Sequence, residues 1–414
     1  MTIAYVTTAS SGLGASAQKS GYVDTTNNYY LTANGLGNFR RFNIATGAQV
    51  GSTATVVTTN TACCLINSAS AFIASNTGTA HQFLELSTGY AQTVSAGSNG
   101  GSANKSDPNS NHQILAVDLT NNIAMMIGVT NANLVKITSA QAYTIITSFA
   151  GYPQANQNFT SIILKGTRRW LVGNSFGRIY EIDDLGTIYN QIAINPTPEF
   201  ANSPIASQTP NIVVRSMAYG DNLLLVSTSV GLFLYDYTTG TLIGQVPLPT
   251  TSPTYLSEMY NGVVLASKNY QSQSYGKTVY EIECTNNSLK INGKCFLYGS
   301  TFYARPTNDI HINTSNGNAV MAFSDASAQN IAFMTVSPRG STTRTINVNP
   351  GGVHQQFRLL TIDDTLGQGN RSILFDTYAQ SPYTYRVPTG KNIIELVKVG
   401  QGTNATWGLG RYST

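Results

Sequence analysis

The chain has 414 residues, 41% of them apolar but only 10% charged, with a formal net charge of +4. Average soluble proteins are roughly 25% charged, so Ser, Thr, Asn, Gln, Gly and Tyr must cover the surface, and 23 tyrosines set the chain apart from the aromatic-poor composition of disorder. Basic residues are scattered, with Arg40-Arg41 and Arg168-Arg169 the only adjacent pairs, which argues against a nucleic-acid partner; no apolar run has the length of a membrane helix.

The N-terminal stretch MTIAYVTTASSGLGASAQKSG has no basic residue before Lys19 and no apolar core of leader length, so the expectation is a chain made in the cytosol. At 38–52, NFRRFNIATGAQVGS reads as an alternating aromatic strand, an Ala-Thr-Gly turn and an outgoing strand. Cys63-Cys64 lie in an apolar run and read as buried thiols. HQFLELSTGYAQTVS at 81–95 repeats the hairpin with Ser-Thr-Gly. The loop 96–112 is long enough to carry contacts. From it, SDPNSNHQILAVD places Asp107, Asn109, Asn111 and Asp118 at positions 1, 3, 5 and 12 of an EF-hand-like spacing. They are candidate metal ligands, although His112 stands at the glycine position and Pro108 at the second. Coincidence in an Asn-rich chain is the competing reading.

The hairpin returns as RIYEIDDLGTIYNQIAI at 178–194 and most clearly as GLFLYDYTTGTLIG at 231–244. Weaker copies are LVKITSAQAYTIITS at 134–148, TVYEIECTNNSLKING at 278–293 and IAFMTVSPRGSTTRTINV at 331–348. In the second of these, Cys284 and Cys295 flank ECTNNSLKINGKC and would either join as a disulfide or pack as two thiols. An apolar strand and a small-residue turn precede most copies, as in RRWLVGNSFGRIY and NLLLVSTSVGLFLY, so each unit reads as three or four short strands. The turn glycines Gly47, Gly89, Gly186, Gly240 and Gly340 recur at roughly 42 to 54 residues or multiples of that, close to the period of propeller blades.

The expected fold class is therefore all-β: a β-propeller over 1–348 with about seven blades, six or eight remaining open, closed by the strand IAYVTT. The F-x-Y-D-x-x-T-G grammar, here LFLYDYTTGTLIGQ, resembles the outer strands of quinoprotein-like and YVTN-type propellers over about 20–348. That resemblance speaks for the fold and says little about function. Only Trp170 and Trp407 are present, against the Trp-rich docking pattern of a quinone enzyme, so no cofactor is expected.

Beyond 349 the pattern changes, and 349–414 reads as a small β module of four strands. Its segment YTYRVPTGKNIIELVKVG resembles the V-P-x-G-K turn-strand unit of jelly-roll-like domains in bacteriophage tail, fibre and neck proteins. Catalytic patterns are thin. His81, His112, His311 and His354 lie in separate units and read as loop histidines. No Gly-x-Ser-x-Gly elbow or zinc spacing occurs, and Asp183-Asp184 and Asp363-Asp364 sit at strand ends, where Asp caps turns. Tyr270, Tyr275, Tyr378, Tyr383 and Tyr385 stand among Asn, Gln and Ser, suited to glycan stacking or protein contact.

The expected function is that of a non-enzymatic structural or interaction protein in a bacteriophage virion. Its partners would be other virion proteins, further copies of the chain, or a host-surface glycan or protein. The alternatives are an extracellular adhesin or lectin-like propeller, and a propeller hydrolase or lyase.

Overall fold

The structure, a computed structural model, describes residues 3–10, 21–33, 37–57, 60–75, 81–89, 91–94, 113–128, 134–146, 159–195, 212–247, 254–268, 277–297, 307–324, 329–336, 343–348, 357–364, 372–377, 383–386, 390–399 and 406–413. Every regular element among them is a strand. The chain divides into two compact units, 5–335 and 336–414, the second taking in residues 1–4.

The first unit is a seven-bladed β-propeller of four-stranded sheets. Blades 1 to 6 occupy 22–55, 60–94, 115–146, 159–193, 214–247 and 254–297. Blade 7 is built from Thr307–Ile312, Asn318–Ser324 and Gln329–Val336, with Ile3–Ser10 pairing beside Gln329–Val336 as its fourth strand. The N-terminal strand thus closes the ring, as its sequence suggests. The stretch 331–348 is consequently no blade hairpin. Its second half, Thr343–Val348, pairs in parallel with Ser372–Thr377, because the outer place in blade 7 is already taken.

Blade 5 shows why the hairpin motif works. Gly231–Asp236 and Leu242–Pro247 are its third and fourth strands. At the turn, the amides of Thr238 and Thr239 donate to Asp236 Oδ1 at 2.9 and 3.0 Å, and Gly240 donates to the Asp236 carbonyl. The next residue must then adopt positive φ, and Gly240 does so at 68°. Asn43 caps Ala45 and Thr46 in the same way before Gly47 at 71°. The polar residue before the turn is therefore a backbone cap.

A blade flanked on both faces has central strands without a polar side. Leu223–Thr228 is buried along its whole length, and each such aliphatic side chain contributes about 1.5–3 kcal/mol. Six apolar clusters lie between successive blades, running from blade 7 against blade 1 to blade 5 against blade 6. Trp170, with no exposed surface, fills the layer between blades 3 and 4.

The second unit has two three-stranded sheets. One orders Thr343–Val348, Ser372–Thr377 and Tyr383–Arg386; the other orders Phe357–Asp364, Gly390–Val399 and Thr406–Ser413. Five strands rather than four follow residue 349, and the longest of them runs from Gly390 to Val399.

Between blades 4 and 5, a Cβ on Gly173 would sit 2.4 Å from Val214 Cγ1. Gly173→Ala is expected to destabilise the propeller by about 1–3 kcal/mol through overpacking, read in urea as a lower midpoint with unchanged slope.

Candidate functional site

A cavity of about 460 Å³ lies at the centre of the propeller unit, lined mainly by the innermost strands. Half-buried Leu115 and Ile163 supply apolar wall from blades 3 and 4, while Ile162 and Met217 pack into the layers between blades. Exposed Thr25, Thr120 and Thr314, each on the turn after an innermost strand, ring its mouth.

Toward the other end, where the innermost strands begin, Gln113 staples three blades. Its Nε2 donates to the carbonyls of Met217 and Leu256 at 2.7 and 3.3 Å. Its Oε1 accepts from Ser161 Oγ and the Met217 amide, both at 2.7 Å. All the hydrogen-bonding capacity of that amide side chain is directed at the ring itself.

The charged corner of the cavity joins blades 6, 7 and 1. Asp309 and His311 are two apart on the innermost strand of blade 7, so they share one face. His311 Nδ1 donates to Glu258 Oε1 at 2.8 Å, and its Nε2 lies 2.7 Å from Asp309 Oδ1. Glu258 Oε2 accepts the Ile312 amide at 2.8 Å. Asp309 Oδ2 accepts the Gly21 amide and the Tyr30 hydroxyl, each at 2.6 Å. Asp309 has no exposed surface, whereas the Glu258 side chain is 42% exposed.

Burial alone would lower the His311 pKa, but the Asp309 and Glu258 carboxylates outweigh it and raise the pKa well above its ordinary value. Burial alone would raise Glu258. The His311 charge and hydrogen bond, with backbone donors including Ile312, lower it instead.

Two further clusters stitch blades 3 to 5. Buried Asp184 is held by Lys136 and by Arg168, whose Nε and an Nη approach at 2.8 and 2.7 Å. Lys165 pairs with Glu181 at 2.9 Å and lies 4.4 Å from the centre of the Tyr237 ring, while the Tyr237 hydroxyl donates to Glu181.

No protein-family model and no curated protein matches the chain. Solved structures do match it in fold. A chain of the mitotic checkpoint complex superposes with TM-score 0.57 at 9% identity, covering 80% of this chain and 92% of that one. U3-55K gives 0.55 at 7%, covering 78% and 96%. Streptogramin B lyase gives 0.52 at 11%, covering 78% and 94%. The likeness is one of architecture, and the propeller fold hosts many unrelated functions.

The structure separates the residues singled out from sequence. Asp118 is buried and caps its own turn: Oδ1 accepts the Asn121 amide, while Oδ2 accepts Asn121 Nδ2 and the Arg168 amide. Asp107, Asn109 and Asn111 lie outside the described residues, as do Tyr270, Tyr275, Tyr378, His112 and His354. Tyr383 and Tyr385 stand in a strand opposite Phe375 and Ile373.

Of the two readings left open for Cys284 and Cys295, the strand register does not favour a disulfide. A two-residue turn at Asn286-Asn287 sets buried Cys284 opposite Leu289 and Cys295 opposite Val279, so the two are not cross-strand neighbours. Cys63 and Cys64 are buried thiols as expected. Asp183 caps Leu185 and Thr187 while Asp184 faces Lys136 and Arg168, so the adjacent pair has divided roles.

His81 and His311 are strand residues rather than loop histidines. His81 accepts the Ser75 amide on Nδ1, with burial pushing its pKa down to about 4. Sequence reasoning missed Gln113, Glu258 and the pairing of Asp309 with His311. Two signals were available: the alternation Asp309-Ile310-His311-Ile312, and the duplicated turns VDTTNN at 23–28 and VDLTNN at 117–122, which flank the cavity mouth.

His311→Gln is expected to cost about 3 kcal/mol near neutral pH, the lower end for breaking a buried ion pair because Glu258 is partly exposed. The raised His311 pKa gives a contribution that is full below about pH 6.5 and is lost as pH climbs through the folded value. The lowered Glu258 pKa gives one present above about pH 4.3 and lost on acidification. Urea titrations of both proteins should therefore show a stability gap widest between these limits and closing in alkali. A gap that grows toward alkaline pH contradicts this assignment.

Proposed function

We propose that the chain is a non-enzymatic binding protein, a rigid propeller whose binding face is the one on which the central cavity opens. The observation that carries this reading is the commitment of both His311 ring nitrogens to carboxylates. A general base needs a free lone pair within reach of substrate, and an imidazolium held at both ends has none to offer. Glu258 and Asp309 are likewise engaged in holding that cation and the backbone around it. A central cavity of mixed lining, with its polar groups fixed in place, suits recognition. The fold likeness to a chain of the mitotic checkpoint complex supports a role within an assembly.

The setting we favour is a bacteriophage virion, with other virion proteins or further copies of the chain as partners. The low surface charge supports it, as does the Val387-Pro388-Thr389-Gly390-Lys391 segment from which the long strand of the second unit departs.

A photoreactive amino acid placed at Thr120 or Thr314 should cross-link a partner in the producing cells, and one at exposed Phe176, on the turn between the second and third strands of blade 4 and so at the opposite end of the sheet, should not. Equal cross-linking from both places would remove the cavity face as the binding face. Cross-linked product sedimenting with particles supports the virion setting; product found only among free proteins contradicts it.

A further inference from the structure

We propose that the outer hairpin of blade 4 is a docking site for an acidic segment of a partner protein. The segment lays an apolar side chain against Leu185 and Tyr189 and a carboxylate against Arg168. The turn of this hairpin stands at the end of the blade where the innermost strand finishes, which is the end at which the cavity opens. The inference therefore deepens the reading of that end as the binding face and rests on it.

The exposed apolar surface is concentrated. Five large apolar side chains are exposed among the described residues, and four of them, Leu164, Phe176, Leu185 and Tyr189, belong to blade 4. Leu185 and Tyr189 share the tip of one hairpin and are 74% and 51% exposed. Single exposed apolar residues are ordinary, whereas a cluster of them marks a contact surface. The other blades supply a comparison within the chain. The residue before the turn glycine is exposed Thr46, Thr88 or Thr239 in blades 1, 2 and 5. In blade 4 the same place, before Gly186 at positive φ, holds Leu185. The turn itself does not require a leucine.

Tyr189 is fixed in its exposed position. The Arg169 guanidinium lies 3.0 Å from the centre of its ring, and its hydroxyl donates to Asp183 Oδ2 at 3.0 Å. A side chain already held in place loses little freedom on binding, and tyrosine and arginine are frequent anchors of protein interfaces.

The charge at the tip selects the partner. Arg168 is half exposed and gives only Nε and one Nη to Asp184. A guanidinium has five donors, so some remain for a second carboxylate. The acids that balance the local cations do not compete for solvent: Asp118, Glu181 and Asp184 are buried. Asp183 spends Oδ1 on the Leu185 and Thr187 amides and Oδ2 on Tyr189. Solvent therefore meets an apolar pair beside a cation. A twofold contact between copies of the chain would set Arg168 near its own copy, so the fit is to an acidic chain.

Fluorescence anisotropy of labelled octapeptides with the full chain at low salt tests this. The probes are Ser-Asp-Glu-Leu-Phe-Glu-Asp-Ser, a basic form with Lys at the four acidic places, and a form with Ser in place of Leu and Phe. The acidic apolar peptide is expected to bind about tenfold more tightly than either. Its lead over the basic form should shrink at about 0.5 M salt. Leu185→Thr installs the residue that three other blades carry, so it keeps the fold. It should cost about tenfold in affinity for the acidic apolar peptide without any change of charge. Tyr189→Ser is a second variant with the same expected loss.

Equal binding of the three peptides overturns the proposal, as does a preference that both substitutions leave intact. So does sedimentation that shows the chain pairing with itself through a contact that Leu185→Thr abolishes. No peptide preference, with Thr120 and Thr314 still cross-linking a partner, overturns the hairpin site and leaves the binding face standing. Loss of that cross-linking as well removes both.

Discussion

Closure of the ring is the constraint on which the rest of the molecule depends. A blade exposes apolar surface on both faces and is stable only when neighbours cover both. Between consecutive blades the chain itself keeps the partners close. At the seam, however, blade 7 must meet blade 1 from nearly opposite ends of the unit. Ile3–Ser10 completes blade 7 there, Phe42 and Phe333 pack across the joint with ring centres 6.3 Å apart, and Asp309 takes the Gly21 amide and the Tyr30 hydroxyl from blade 1. Through His311 the same carboxylate is tied back to Glu258 in blade 6.

A purely apolar joint could supply comparable stability, since buried ion pairs often do no better than well-packed hydrophobic side chains. What the charged chain adds is position. Each of its bonds has a length and a direction, so it fixes how far the innermost strand of blade 7 stands from the turns of blades 6 and 1. Gln113 does the same across blades 4, 5 and 6. Together these contacts make the cavity a built feature rather than leftover space, and they spend on architecture the groups a catalyst would need free. The corner that closes the ring also leaves a half-exposed carboxylate at the mouth.

The repeated architecture was legible from sequence because it is written locally. Asp236 and Gly240 are four residues apart and explain one turn by themselves, and Asn43 with Gly47 repeats the arrangement. Contacts created by closure were not legible. Glu258 and His311 are 53 residues apart, and Tyr30 and Asp309 are 279 apart; nothing in either neighbourhood names the other. The choice left open at Cys284 and Cys295 has a smaller reason. Their symmetric spacing suggests a turn midway between them, but the chain reverses at Asn286-Asn287, residues suited to a tight hairpin, and a register shift near Tyr280 moves Cys295 further along. Thr343–Val348 misled likewise, because a parallel partner beyond a long connection leaves no mark on the strand itself.

The protonation state of His311 tests the account most directly, because the charged chain that positions the seam and the absence of a free base at the cavity both follow from it. Nitrogen-15 NMR of selectively labelled histidine reports it. The account predicts that both His311 ring nitrogens carry protons at neutral pH, in contrast to His81, which stays neutral. A His311 found as a single neutral tautomer at pH 7 would contradict the account: the seam would then lack its cation, and the ring would have a lone pair available for chemistry.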